Sequence, residues 1–482
     1  MQSSSEKSGI SISPSAVIAT IATIYFTKKT WHGMPRWLKK HINASDADKE
    51  NKTEGTDSSE NGDFDLSNPS TIFEKAKLML DLVDQKIDDV MPDHLPNTKI
   101  LASLLGTVHL YEEMETSIPH HREKFYREVS EGDVSKQDLC GLVQKMEYAD
   151  WAYDDHRADL KDKLEKMSFD LLRFDQSTEP GRVGHYIAIN HVEKVVLIGL
   201  KGTSTISDVL TDIMGDGADY YLESPFDENY TSKQIRAHEG ILTAALTMAD
   251  ETQKLIEKLF LPCKYRVLIT GHSLGAGTAC LLGLLLRSRI SALRGDCKEY
   301  LEVFAFAPPP VLNYDAALAC APFITSVVNN SDIVPRMSLP NLVTLHKLFL
   351  KVHHKQEEKG LLASPYALAK DLIKVDDEFI MPYEELSDFY KEIHKNEDVR
   401  GEDSLFVPGR VIVLCPIGEE REKGEDKSSK DAVDDFLGVI GNGSMEMLKR
   451  VEPYLSLFAD HLGASYIAHL KAASKDCEST TV

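Results

Sequence analysis

The sequence predicts an α/β fold: a mostly parallel sheet flanked by helices, with a helical extension ahead of it and an insertion late in the chain. Three observations predict it. From about residue 184, short β-branched and aromatic runs alternate with helical stretches. The runs show little polar alternation, as strands covered on both faces do. A serine between two glycines sits where one strand-like run meets one helix-like run.

The strand candidates are HYIAIN (185–190), VVLIG (195–199), RVLIT (266–270), EVFAFA (302–307), ITSVVN (324–329) and RVIVLC (410–415). Helical stretches fall between them, notably at 238–260 and 274–293. Composition fits a soluble globular protein, with 42% hydrophobic and 27% charged residues among 482. That excludes a polytopic membrane protein and a wholly disordered chain. The formal charge of −23 repels phosphate backbones and argues against a nucleic-acid partner. The seven cysteines are widely spaced, and no C-x-x-C pair occurs. They argue against a disulfide framework or a zinc site and favour a reducing compartment. No metal and no cofactor is expected.

Four regions are read from the pattern. Residues 1–43 carry the apolar run AVIATIATIYF at 16–26, too short for a spanning helix of about 20 residues. Lys28, Lys29, Arg36, Lys39 and Lys40 follow, with Trp31 and Trp37 among them. This reads as a membrane anchor or targeting segment, with the rest of the chain cytosolic. Residues 44–67 form an acidic linker with too little apolar surface to order itself. Residues 68–133 form the helical extension, with Ile72, Ala76, Leu80, Val83 and Ile87 on one face. Residues 134–482 form the main domain, with the insertion at about 340–405.

Gly271-His272-Ser273-Leu274-Gly275 is a G-x-S-x-G turn between a strand-like and a helix-like segment. Such a turn strains the serine backbone and lifts its hydroxyl clear of the sheet. Ser273 is therefore the candidate nucleophile. Gly271 and Gly275 let strand and helix approach, and His272 reads as a neighbour whose ring supports the turn. A serine hydroxyl needs a base, and in this arrangement an acid and then a histidine follow in chain order. Asp332 is the first carboxylate beyond the 324–329 strand, at a strand end where α/β sheets place their sites. His461 lies beyond the last strand-like run and is the candidate base. Of the other late histidines, His346, His353 and His354 precede that run, His394 sits in a charged helix, and His469 reads as a packing residue. Two N–H donors should cradle a developing oxyanion. They are the backbone of Leu274 and Thr203, the latter following the 195–199 strand and offering a hydroxyl as well.

These motifs together resemble the class 3 lipase family of α/β-hydrolases, in pattern nearest its diacylglycerol lipase branch. Lys201-Gly202-Thr203-Ser204-Thr205 resembles the family's R-G-T/S-x-S, with Lys in place of Arg. Asp208 and Asp212 match its D-x-x-x-D. His238-Glu239-Gly240 with Ala244-Ala245 resembles H-x-G…A-A, and Gly271 to Gly275 matches G-H-S-L-G. Asp332-Ile333-Val334-Pro335-Arg336 matches D-I-V-P-R, Pro408-Gly409-Arg410 resembles the P-G-R strand, and Asp460-His461 resembles the D-H of the base. The resemblance implies hydrolysis of acyl glycerolipids through an acyl-enzyme, diacylglycerol foremost, at a membrane surface. A phospholipase A1, a galactolipase or a general carboxylesterase of the same fold stays open, as does a non-catalytic signalling scaffold. It also implies a lid at 204–230, with Gly215 and Gly217 as hinges and Tyr220, Tyr221, Leu222 and Phe226 as apolar cover. The stretch from Asp332 to His461 is more than twice that from Ser273 to Asp332. This excess resembles the regulatory insertion of diacylglycerol lipases.

Overall fold

The structure, a computed structural model, describes residues 97–118, 121–177, 181–203, 215–228, 230–294, 300–361, 380–396, 404–417, 435–441, 447–454 and 456–474. The anchor, the acidic linker and the periodic face at 72–87 lie outside these residues, as do 204–214, which include Thr205, Asp208 and Asp212. Among the described residues no helix is long and apolar enough to cross a membrane.

Contacts divide the chain into two units, Met1–Glu113 with His346–Ser387 and Met114–Leu345 with Asp388–Val482. In the first, the part of helix Asn97–Ser117 up to Glu113 packs on the part of helix Leu339–Glu358 from His346. Gly106 faces Val352 and Gln356, and the Gln356 amide donates to Ala102 O at 3.1 Å. Described parts of the extension and of the insertion, read separately from sequence, therefore fall in one unit. The described residues of the insertion are largely helical, at Leu339–Glu358 and Tyr383–Asn396.

Among the described residues, the second unit is built on a nine-stranded sheet. Its strands are β1 (Ser130–Asp133), β2 (Asp170–Asp175), β3 (His185–Asn190), β4 (Val195–Leu200), β7 (Arg266–His272), β8 (Leu301–Phe306), β9 (Ile324–Asn329), β10 (Arg410–Ile417) and β11 (Asp435–Gly441). The order across the sheet is β1-β11-β10-β9-β8-β7-β4-β3-β2. β4, β7, β8, β9 and β10 run parallel, and both flanks are antiparallel. All six sequence-read strands are present, but β3 and β4 form a hairpin. The four residues between them are too few for a parallel crossover. The 130–133 segment, read as the end of the helical extension, is an edge strand of the sheet. A separate pair, β5 (Gly217–Tyr221) and β6 (Gln234–His238), stands apart.

Both faces of the centre are covered, which is why β3 and β4 are buried along their whole length. Val196, Ile198 and Leu200 pack with helices Glu239–Leu255 and Leu274–Arg289 on one face. Their neighbours Val195 and Leu197 pack on the other, with residues of helices Lys136–Asp150 and Arg157–Lys166. Leu222 and Phe226, expected as lid cover, are buried in the first core, whereas Tyr221 is 70% exposed. Among the described cysteines, Cys140 departs from the sequence expectation and is disulfide-bonded, while Cys263, Cys280, Cys320 and Cys415 are free.

Candidate active site

Four strand ends meet at one rim, the carboxyl ends of β4, β7, β8 and β9. β7 ends at His272, and helix Leu274–Arg289 starts one residue later. Ser273 bridges them at φ 59°, ψ −129°, a conformation that costs a non-glycine residue of the order of 1–3 kcal/mol. Its N–H donates to Phe306 O at 2.9 Å, and its carbonyl accepts from Ala276 at 2.9 Å. Gly275 is required by close approach, since a Cβ there would overlap Leu200 O and the Lys201 carbonyl. Gly271 packs against Gly275 across the turn in the same way.

The structure brings Ser273, Asp332 and His461 together. His461 Nε2 lies 2.9 Å from Ser273 Oγ, and Nδ1 lies 3.0 and 3.1 Å from the two Asp332 oxygens. A carboxylate accepts, so Nδ1 carries the ring proton and Nε2 accepts the serine hydroxyl. All three side chains are buried. Asp332 also accepts from Tyr466 OH at 2.7 Å and from the Val334 N–H at 3.0 Å. Burial pushes the Asp332 carboxyl up, but the His461 charge and these hydrogen bonds outweigh it and hold it below the usual carboxylate range.

The loop after β4 passes directly over the serine. A Cβ at Gly202 would overlap Tyr153 Oη and lie 2.7 Å from His272 O and 3.1 Å from Ser273 Cβ, so only glycine fits. Thr203 follows, and among the described residues its buried hydroxyl has no hydrogen-bond partner. Leu274 opens the helix, where the first N–H groups have no partner within the helix.

His272 ties the rim together. Its Nε2 donates to the carbonyl of His461 at 2.8 Å, and its Nδ1 accepts from Tyr153 OH at 3.1 Å. Its ring lies 4.9 Å from that of His461, centroid to centroid. Burial, with the His461 charge adding to it, pushes His272 down to about 3, so this imidazole stays neutral. His469 packs as expected, stacked 3.8 Å from Phe436 and donating to Asn329 Oδ1 at 2.7 Å.

A buried charge cluster lies behind the acid. Arg336 donates to Asp332 O at 2.6 Å, to Asn330 O at 2.8 Å and to Tyr126 OH at 2.8 Å. Tyr126 donates in turn to Glu452 at 3.0 Å. Burial pushes Glu452 up, but Arg450, Arg122 and Arg336 outweigh it and hold it at about 2. Sequence reasoning missed Tyr126, Tyr153, Tyr466 and Glu452, because none stands in a motif. The one available signal was Tyr466, about one helical turn past the Asp460-His461 pair.

Fold and rim together define an α/β-hydrolase: a serine on a strand-to-helix elbow, with acid and base delivered after later strands. Residues 197–342 match the model of the family described as Lipase (class 3), which bears out the resemblance read from the motifs. Human diacylglycerol lipase-alpha is 31% identical over 176 residues, covering 35% of this chain and 16% of the relative. Mouse diacylglycerol lipase-beta is 27% identical over 177 residues, covering 34% and 23%. The secreted mono- and diacylglycerol lipase A of Penicillium cyclopium is 26% identical over 237 residues, covering 44% and 70%. The match thus spans about a sixth of the human relative's length. Among solved structures, the Rhizomucor miehei lipase propeptide complex is similar at 20% identity and a TM-score of 0.34, covering 43% of this chain and 65% of that one.

Proposed function

We propose that the chain is a serine lipase that hydrolyses acyl esters of glycerolipids. Diacylglycerol, cleaved to monoacylglycerol and a free fatty acid, is the substrate we favour. The observation that carries this reading is the 2.9 Å approach of His461 Nε2 to the hydroxyl of Ser273 on its strained elbow. A hydroxyl so paired is an activated nucleophile. Ser273 Oγ attacks the ester carbonyl while His461 takes its proton. Asp332 holds the ring tautomer and stabilises the imidazolium. The tetrahedral oxyanion is received by the Leu274 N–H and by Thr203, whose unpartnered hydroxyl supports that role. His461 then protonates the leaving alcohol, and water releases the acyl group by the same steps in reverse.

The choice of diacylglycerol rests on the relatives named as diacylglycerol lipases. The apolar and basic N-terminal segment supports a membrane surface as the place of action. A fluorophosphonate probe should label the full-length protein and fail to label Ser273→Ala. Product analysis on a panel of neutral, phosphate-bearing and galactose-bearing glycerolipids then fixes the head group. Turnover of charged or sugar lipids alone selects the phospholipase or galactolipase alternative. Equal labelling of both proteins, or a folded wild type that cleaves no acyl ester, rejects the proposal in favour of a non-catalytic scaffold.

A further inference from the structure

We propose that Tyr153 is a positioning residue of the oxyanion hole, locking the Gly202-Thr203 loop to the nucleophile elbow through its hydroxyl. The inference rests on the hydrolase reading above and names a group that reading does not use. Tyr153 ends the short turn Trp151–Tyr153 after helix Lys136–Asp150, outside the residues that match the family model.

Each hydrogen bond around Tyr153 has one allowed direction. The Gly202 N–H lies 3.2 Å from Tyr153 Oη and is a donor, so the phenol oxygen accepts it. On the far side, His272 Nε2 faces a carbonyl, which only accepts, so Nε2 holds the ring proton. The neutral ring then presents a lone pair at Nδ1, 3.1 Å from the phenol oxygen, and the phenol proton goes there in preference to the His272 carbonyl at 3.5 Å. The result is one polarised chain: Gly202 N–H to Tyr153 O–H, to the His272 ring, to the carbonyl of His461. It joins the oxyanion loop, the elbow and the base. Burial keeps Tyr153 protonated and His272 uncharged, so the chain holds across the working pH range.

Two consequences follow. The Gly202 N–H is taken by Tyr153 and is not a donor to substrate, so the loop's contribution to an oxyanion comes from Thr203. The loop also has no slack beneath it, because Tyr153 Oη, His272 O and Ser273 Cβ all crowd the α-carbon of Gly202. Without the phenol oxygen, the Gly202 N–H loses its acceptor and the donors of Thr203 lose their fixed distance from the carbonyl under attack. Preset donors matter most in the transition state. The loss should therefore fall on kcat and spare KM.

The test compares the full-length wild type, Tyr153→Phe and Ser273→Ala on a soluble short-chain p-nitrophenyl ester, with an alkyl boronic acid as tetrahedral analogue. For Tyr153→Phe, kcat should fall roughly 10- to 100-fold, less than the loss of a direct oxyanion donor. KM should stay within about twofold, and the boronate inhibition constant should rise by the same factor as kcat falls. Wild-type kcat in Tyr153→Phe overturns the inference, as does a fall in kcat with unchanged boronate affinity. If Tyr153→Phe does not fold, the 15N shifts of His272 in the wild type decide. A proton on Nε2 and none on Nδ1 from pH 5 to 8 supports the chain, and a proton on Nδ1 breaks it. Failure of the underlying reading is distinguishable, because a wild type as inert as Ser273→Ala rejects the hydrolase itself.

Discussion

The Ser331 hydroxyl donates to the carboxylate of Asp460 at 2.7 Å, so the residue before Asp332 is tied to the residue before His461. Asp460 Oδ2 also accepts from the Ser331 N–H at 3.2 Å and from the Asn330 amide at 2.9 Å. Two loops more than a hundred residues apart are stapled beside Asp332 and His461. Ser331→Ala removes the shortest of these bonds and leaves the others. A hydrogen bond to a buried charged group is worth about 1.5–3 kcal/mol. Urea unfolding should show a loss of that order, and ester turnover should drop several-fold as the two loops relax.

Thr203→Val should separate activity from stability. The Thr203 hydroxyl is buried and, among the described residues, unpartnered, so the folded protein gains nothing from it. Valine keeps the shape, and the melting temperature should hold or rise slightly. If the hydroxyl serves the transition state, kcat should fall about 100- to 1,000-fold. A variant with full kcat would remove Thr203 Oγ1 from the oxyanion hole.

Arg336 should be costly to replace. Its guanidinium satisfies two backbone carbonyls and Tyr126, and it helps to compensate the buried Glu452. Arg336→Met leaves these groups with fewer partners and should cost about 3–5 kcal/mol in denaturant unfolding. Arg336→Lys keeps the charge but not the fork, and it should recover less than half of that loss.

Stability should fall with pH below about 6.5. Burial holds His272 and His469 at about 3 in the folded protein, against the ordinary histidine value of 6.5. Below 6.5 the unfolded chain binds protons that the folded chain refuses, at about 1.4 kcal/mol per pH unit for each histidine. Asp460 opposes them. Burial raises it to about 6, so between there and its ordinary value of 3.8 the folded protein holds the extra proton. Near pH 5 the two histidines outweigh the one carboxyl, and stability should drop by about 1.4 kcal/mol per unit of acidification from these three groups. Unfolding free energies measured from pH 7 to 4.5 check the slope. His469→Gln should flatten it.

The six strands and the serine elbow were legible because each is a local pattern. Continuous apolar runs mark β4 and β7, and glycines flank Ser273 for a steric reason confined to five residues. Asp332 and His461 were legible through chain order and strand ends. β1, β2 and β11 were not, since SEGD and DLLRFD are short, partly polar edge strands and DFLGVIG, paired on both sides, carries two glycines. Their strand state is imposed by pairing across the sheet. Tyr153, Tyr466 and the Ser331–Asp460 tie were illegible for the same reason, because hydroxyls acquire their partners only when distant segments converge. Leu222 and Phe226 were misread because an apolar residue looks the same whether it caps a cleft or fills a core.

His272 and His461 are chemically the same ring, side by side and tilted at 37°, yet their surroundings assign them opposite duties. One is wired at both nitrogens and barred from taking a proton, while its twin is left with a nitrogen facing only a hydroxyl. At this rim, residue type alone would misassign half of the histidines.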